Sequence, residues 1–225
     1  MIRHGNPGEW AKVRGTILSL WPVFLCCIAL GACGAALVLG RHPLAFATAF
    51  AVCVAATAFW WRRGLRRVES YFKGARGEER VAGVLDALPN TWHAFHDFVA
   101  GPYHVDHVLV GPAGVYAVET KNWRGRVTVE QGEMLVEGRL ADRAPLVQAT
   151  RQADAVKAVL RAAGWDGDVA PVLCLASDAF APGLQQVGRA TVLNAARAVA
   201  WFAEQTSALA KPEVERLAFL METHR

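Results

Sequence analysis

Two long stretches without charged residues lie near the start of the chain. Residues 16–40 and residues 43–61 contain no Asp, Glu, Lys or Arg, and hydrophobic residues occur on every side of a helix drawn through them. A helix needs about 20 apolar residues to cross the hydrocarbon core of a bilayer. Only Arg41 and His42 separate the two stretches. The pattern therefore predicts two antiparallel helices that form a transmembrane hairpin.

Other interpretations fit the first stretch less well. A secretory signal peptide has an apolar region of about 7–15 residues, and this stretch is longer. The segment from Leu30 to Cys33 resembles a bacterial lipidation site, but a second span would make a lipid anchor at Cys33 redundant. A hairpin buried in a soluble protein would show a polar stripe on each helix, and neither stretch has one.

The remaining sequence alternates between strand patterns and helix patterns. Strands are predicted at residues 91–99, 104–110, 115–121, 126–130, 134–138, 169–175 and 190–193. Helices are predicted at residues 68–88, 145–163, 195–205 and 212–221. Strands and helices in this order are typical of an α/β domain in which helices flank a mixed sheet.

Charge is distributed unevenly along the chain. Residues 1–73 carry nine Lys and Arg against two Asp and Glu, whereas residues 74–225 carry fifteen against eighteen. Lys and Arg are enriched in cytoplasmic segments next to membrane helices. We therefore expect a multi-pass protein of the inner (plasma) membrane with both termini in the cytoplasm. The basic pI of about 8.9 reflects this topology rather than a nucleic-acid-binding surface.

These patterns predict four segments. They are a cytoplasmic N-terminus (1–15), the transmembrane hairpin (16–61), a basic juxtamembrane linker (62–73) and a cytoplasmic domain (74–225).

Small residues recur along the second apolar stretch. Ala47, Ala51 and Ala55 follow one another at intervals of four. Small residues at this spacing let two membrane helices approach closely. The stripe predicts packing within the hairpin or a homodimer, and the sequence alone does not separate the two.

The predicted hairpin of strands 104–110 and 115–121 carries three candidate catalytic residues. Side chains alternate along a strand, so Glu119 and Lys121 point to the same face. Pairing around the turn at residues 111–114 places Asp106 opposite Glu119. Two carboxylates in such positions repel each other unless a cation lies between them. Their hard oxygen ligands suit Mg²⁺ or Mn²⁺. The arrangement suggests metal-assisted phosphodiester hydrolysis, and the alternative is a surface ion network.

Histidines form a second candidate group: His93, His96, His104 and His107. They include two His-x-x-His pairs, which suggest a zinc site. On strands, however, positions three apart point to opposite faces, so neither pair is expected to bind one ion. His104, on the face of Asp106, is the histidine expected to line the site.

Several motifs together resemble the NERD (nuclease-related domain) family. They are Gly74, Gly77 and Glu78, then His104-Val105-Asp106-His107, then Gly111, Gly114 and Glu119-Thr120-Lys121-Asn122-Trp123, and finally Pro145 with Gln148. The resemblance is strongest over residues 74–163. This family is regarded as related to PD-(D/E)xK nucleases, so the resemblance implies a restriction-endonuclease-like fold.

The resemblance also implies a role for each site residue. Asp106 and Glu119 would hold the divalent metal ion, and Lys121 would act on water or on phosphate. Glu78 would approach from the first helix of the domain, and Gln148 from the later one. We therefore expect a membrane-anchored nuclease that uses Mg²⁺ or Mn²⁺ and acts on nucleic acid. The alternative is a non-catalytic scaffold that organises partners at the membrane, and the negative charge of residues 74–225 favours it.

Overall fold

The computed structural model describes residues 1–40 and 43–224. The chain divides into two compact units. One unit comprises Trp10–Lys73, and the other comprises Met1–Glu9 together with Gly74–Arg225. The predicted turn at Arg41 and His42 lies outside the described residues.

Two long helices account for the first unit. They are α1 (Glu9–Val38) and α2 (Pro43–Leu85), and α2 continues into the second unit. By length and composition, both are long and apolar enough to cross a membrane, with mean hydropathies of 2.1 and 1.8 over 18 residues. The predicted helix at residues 68–88 is therefore the end of α2, which continues through Gly74 and Gly77 without a break.

Glycines bring α1 and α2 into close contact within the first unit. A Cβ atom added at Gly64 would lie 2.8 Å from the carbonyl oxygen of Ser19, and one added at Gly15 would lie 2.5 Å from the Tyr71 side chain. In contrast, the predicted small-residue stripe of Ala47, Ala51 and Ala55 is exposed. Packing within the hairpin therefore uses another side of α2, and a homodimer through the stripe stays a prediction.

A mixed seven-stranded sheet forms the centre of the second unit. Its strands lie in the order β1-β2-β3-β4-β8-β10-β9. They are β1 (Ile2–His4), β2 (His93–Ala100), β3 (Tyr103–Gly111), β4 (Gly114–Lys121), β8 (Val169–Leu175), β9 (Leu184–Val187) and β10 (Ala190–Asn194). The pairs β1–β2, β4–β8 and β8–β10 are parallel, and the other neighbours are antiparallel.

A second, smaller sheet lies between β4 and β8 in the sequence. It contains β5 (Val127–Glu130), β6 (Glu133–Val136) and β7 (Arg139–Leu140). The remaining helices are α3 (Pro145–Ala162), α4 (Ala195–Glu204) and α5 (Lys211–His224).

Helices cover both faces of the large sheet because its central strands are apolar on both sides. In β4, Val115 and Ala117 face the cluster that contains α3 and α5, whereas Tyr116 and Val118 face the cluster that contains the end of α2 and α4. Burial of apolar surface on both faces is the main force that holds these three layers together. The predicted class, a mixed sheet flanked by helices and preceded by two apolar helices, is confirmed.

The differences from the predicted elements involve short strands. Residues of β1, β7 and β9 carry no strand prediction, and these strands have three, two and four residues. Alternation cannot be recognised over so few positions. The β1 strand forms because its backbone pairs with β2, from Ile2 with His93 to His4 with Phe95.

Candidate active site

The turn between β3 and β4 sets the register of the candidate site. Paired residues run from Gly111 with Gly114 to His107 with Val118, as the sequence predicts. Asp106 and Glu119 come next in this register, but the ladder ends one pair earlier. The Asp106 Oδ2 atom instead accepts a hydrogen bond of 2.7 Å from the backbone N–H of Thr120. This hydrogen bond holds the Asp106 side chain at the end of β4.

Glu119 and Lys121 form the centre of the site. Glu119 is only 3% exposed, and its Oε1 atom accepts a hydrogen bond of 2.5 Å from the Lys121 ammonium. The same ammonium donates to Oε1 of Gln148 at 3.0 Å. Alternation along β4 therefore places the acid and the base side by side, and α3 supplies the third group.

Gln152 is a part of the site that the sequence interpretation missed. Its side chain is 1% exposed, and its amide nitrogen donates to Oε2 of Glu119 at 2.6 Å and to the carbonyl oxygen of His104 at 2.9 Å. Gln152 lies one helical turn after Gln148 on α3. This i, i+4 spacing, which places both residues on one side of the helix, is the signal that could have identified it.

Glu78 reaches the site from α2, with 8% of its surface exposed. Its Oε2 atom is buried and has no hydrogen-bond partner among the described residues. The pKa of Glu78 is raised from 4.5 to about 7, mainly by burial and also by the negative charges of Asp97 and Glu119. Lys121 and a backbone hydrogen bond from Gly8 act in the opposite direction.

Asp97 is a fourth acidic residue near the site, and it lies where the pairing between β2 and β3 is interrupted. His96 pairs with His107 and Phe98 pairs with Val105, so Asp97 is left out of the ladder. Its φ of 55° is in the left-handed region, which is typical of backbone that departs from the regular strand. No pattern in the sequence signals this interruption of the pairing.

Negative charge exceeds positive charge at this end of the sheet. Burial raises the pKa of Asp106 well above its ordinary value, and Glu119 and Glu78 raise it further. The Thr120 N–H and Lys121 lower it only in part. The site therefore brings together all five predicted residues, and their carboxylates are crowded enough to disfavour full ionisation.

Buried histidines lie behind the site and not in it. The Nδ1 atoms of His96 and His107 are 2.7 Å apart, and Nε2 of His107 lies 3.2 Å from the Thr120 hydroxyl. Burial lowers the pKa of His107 well below its ordinary value, with further contributions from His96 and Arg3. His93 instead lies 3.6 Å from a carboxylate oxygen of Glu215.

Within residues 1–40 and 43–224, no group of three or more His, Cys, Asp or Glu side chains is arranged to hold a metal ion. In the arrangement described here, the charge of Lys121 compensates Glu119 directly.

Of three comparisons with known proteins, one found a match, and it supports the resemblance to the nuclease-related domain. Neither a curated protein nor a solved structure matches the chain. A family model does match, and its description is NERD, nuclease-related domain. The matching segment runs from the last part of α2 to the residue after β8. All five predicted site residues lie within residues 73–176, the part of this chain that matches the nuclease-related domain.

Proposed function

We propose that this protein is a membrane-anchored nuclease that hydrolyses phosphodiester bonds of nucleic acid with the help of Mg²⁺ or Mn²⁺. The observation that carries the proposal is the contact between Glu119 and Lys121 beside Asp106 and Glu78, at the end of a buried strand. The match of residues 73–176 to a nuclease-related domain supports the same reaction class. In PD-(D/E)xK terms, Asp106 is the first acid, and Glu119 and Lys121 are the second acid and the lysine.

The carboxylate groups at the site support a hard divalent cation by their chemistry, and their arrangement would have to change to hold it. Glu78 has a buried carboxylate oxygen without a hydrogen-bond partner among the described residues, and Glu119 and Glu78 oppose ionisation of Asp106. Carboxylate oxygens are the ligands that Mg²⁺ prefers in proteins. Asp106 and Glu119 would hold the ion. When bound, it would supply Lewis-acid chemistry that activates water and polarises a phosphoryl oxygen.

The other residues of the site have distinct roles in this proposal. The Lys121 ammonium, oriented by Glu119 and Gln148, is placed to stabilise the negative charge that develops on the phosphoryl group. The Glu78 carboxylate has a pKa of about 7, so near neutral pH it can accept a proton from the attacking water. Gln152 fixes the orientation of Glu119 through its amide hydrogen bond.

Anchoring in the inner membrane, with both termini in the cytoplasm, is part of the proposal. It is supported by the length and apolarity of α1 and α2 and by the basic residues that flank the two apolar stretches.

A non-catalytic scaffold is the second candidate, and two observations favour it. Both oxygens of Glu119 already accept hydrogen bonds, from Lys121 and from Gln152. The segment 74–225 carries more acidic than basic residues, although a nuclease commonly presents a positive surface to its substrate. A scaffold would use the hairpin to organise partners at the membrane, including a second copy through Ala47, Ala51 and Ala55.

Cleavage assays with the full chain in detergent test the proposal. DNA and RNA are incubated with Mg²⁺, Mn²⁺ or a chelator, and the variants Glu119→Gln and Lys121→Ala are compared with the exposed controls Glu133→Gln and Lys211→Ala. We expect the two site variants to lose at least about 100-fold in rate, while the controls retain full activity. Equal cleavage by all proteins would identify a contaminant.

Metal binding separates the two candidate functions. Isothermal titration with Mg²⁺ should show binding to the wild-type chain and weaker binding to Asp106→Asn. No binding near millimolar Mg²⁺, together with no cleavage, would favour the scaffold.

A further inference from the structure

We propose that a groove on α2 binds the headgroup of an anionic phospholipid. The groove has a volume of about 470 Å³ and is lined by three apolar and three basic residues: Ala55, Ala58, Phe59, Arg62, Arg63 and Arg66. We call it the arginine groove. The inference rests on the membrane anchoring proposed above and adds a specific ligand class to it.

The lining residues follow one side of the helix. Ala55, Phe59, Arg62 and Arg66 are spaced by three or four positions, which places them in a row along the helix axis. At 1.5 Å per residue, Arg66 lies about 16 Å from Ala55 along this axis. This distance is close to half the thickness of the hydrocarbon core, which is about 15 Å. The groove therefore has the length to hold a headgroup at one end and part of an acyl chain at the other.

Aromatic residues indicate where the membrane surface would lie. Trp60 and Trp61 are exposed and directly precede Arg62. Trp side chains are enriched at the boundary between hydrocarbon and headgroups. With these two residues at the boundary, the arginines lie at the level of lipid phosphates, while Ala55 and Ala58 lie at the level of acyl chains.

The three arginines have charge available for a ligand. All three are exposed, and none takes part in the ion pairs found in the described part of the chain. The Arg63 guanidinium lies 4.8 Å from the centre of the Phe59 ring, and this cation–π contact does not neutralise its charge. Guanidinium groups bind phosphate oxygens through paired hydrogen bonds. The charge pattern therefore matches an anionic headgroup.

Charge also argues against a second copy of the chain as the occupant. A symmetric dimer places the same surface of both copies in contact, so three arginines would face three arginines. Like charges in contact disfavour such an interface. The contact with α1 uses Gly64, which packs against Ser19, and Gly64 is not one of the residues that line the arginine groove. An anionic lipid fits the groove because its acyl chain can contact the apolar residues and its headgroup can neutralise the arginines.

Lipid retention by the full chain tests the inference. The protein is purified in detergent, titrated with phosphatidylglycerol or phosphatidylcholine, and analysed by native mass spectrometry. We expect wild type to retain phosphatidylglycerol in preference to phosphatidylcholine. The triple variant Arg62→Gln/Arg63→Gln/Arg66→Gln should bind phosphatidylglycerol at least about tenfold more weakly. The matched control Arg139→Gln/Arg161→Gln/Arg197→Gln changes the net charge equally and should bind like wild type.

Four results would overturn the inference, and the first three concern the titration itself. They are equal retention of both lipids by wild type, an equal loss in the control variant, and a dimer in place of bound lipid. Displacement of the lipid by millimolar inorganic phosphate would also overturn it, because the site would then recognise free phosphate. Alkaline carbonate extraction of cell membranes separates this failure from that of the anchoring. A chain that stays in the membrane without a lipid preference contradicts only the groove, whereas a chain released by carbonate contradicts the anchor.

Discussion

At the scale of single residues, the site is held together by one lysine among several carboxylates. Lys121 contacts Glu119 directly, while Glu78, Asp97 and Asp106 approach from α2, β2 and β3. Neighbouring carboxylates oppose the ionisation of Glu78 and Asp106, because buried like charges repel strongly. Such crowding reduces stability, and a bound cation would offset the cost.

The substitution Glu78→Gln should change how stability depends on pH. The pKa of Glu78 in the folded chain, about 7, lies above its ordinary value of 4.5. Ionisation therefore opposes folding, and stability is lost as the pH rises from about 4.5 to about 7. Over this pH range, the free energy of unfolding of Glu78→Gln should therefore fall by up to about 3 kcal/mol less than that of wild type. Denaturant unfolding at pH 4.5 and pH 8, with Glu133→Gln as the control, measures it. An unchanged pH dependence in Glu78→Gln would contradict the assignment.

Gln152 should matter more for stability than Gln148. Truncation in Gln152→Ala leaves Oε2 of the buried Glu119 and the carbonyl of His104 without this donor, and an unsatisfied buried group costs about 1–3 kcal/mol. Gln148→Ala removes one hydrogen bond, to Lys121, at a partly exposed position, and should cost less. Unfolding free energies of the two variants decide this. Equal losses would mean that Gln152 has no special part in holding Glu119.

At the scale of elements, the β3–β4 hairpin determines where the site residues lie. Its turn fixes the register, and a shift by one position would move Glu119 and Lys121 to the other face of the sheet. The turn lies against Trp92: a Cβ atom added at Gly111 would be 2.2 Å from the indole ring. Only glycine fits there without displacing the ring.

The variant Gly111→Ala is therefore expected to destabilise the domain by about 1–3 kcal/mol, as overpacked cores do. The control is Gly83→Ala on α2, where a Cβ atom would meet nothing within 4 Å. This control should stabilise the helix by up to about 1 kcal/mol. Thermal unfolding with a tryptophan fluorescence readout compares the two. A Gly111→Ala variant as stable as wild type would show that Trp92 can move aside at little cost.

At the scale of the whole molecule, the two compact units have different kinds of surface. Exposed large hydrophobic residues are concentrated on α1 and α2, and a water-soluble protein rarely leaves so much apolar surface uncovered. The unit that contains the site buries its apolar residues between sheet and helices. The proposed bilayer around the two apolar segments would account for the difference.

A charge placed in α1 should test the membrane anchor. Leu25 is 49% exposed on α1, and Leu140 is 69% exposed on β7. An arginine near the centre of a membrane helix costs about 2.5–3.5 kcal/mol on insertion scales. We expect Leu25→Arg to lower the fraction of chain that resists carbonate extraction, whereas Leu140→Arg leaves it unchanged. Equal extraction of wild type and both variants would argue against a membrane-spanning α1.

The sequence alone determines the features that depend on neighbouring residues. Alternation along β4 predicts that Glu119 and Lys121 share a face, the glycine turn predicts the β3–β4 register, and the apolar run of β8 marks its exact bounds. The lengths of the two uncharged stretches predict the paired helices. These features follow from local backbone geometry and from the periodicity of hydrophobic residues.

The tertiary structure alone decides which distant groups complete the site. The interrupted strand pairing at Asp97, the buried position of Gln152 and the hydrogen bond from Gly8 to Glu78 involve contacts between different elements of the fold. The β1 strand likewise exists because β2 offers a free edge to three residues of the N-terminal segment. Each of these contacts depends on the entropy lost when distant segments come together and on burial in the folded protein. A local pattern of residues gives no information about either quantity.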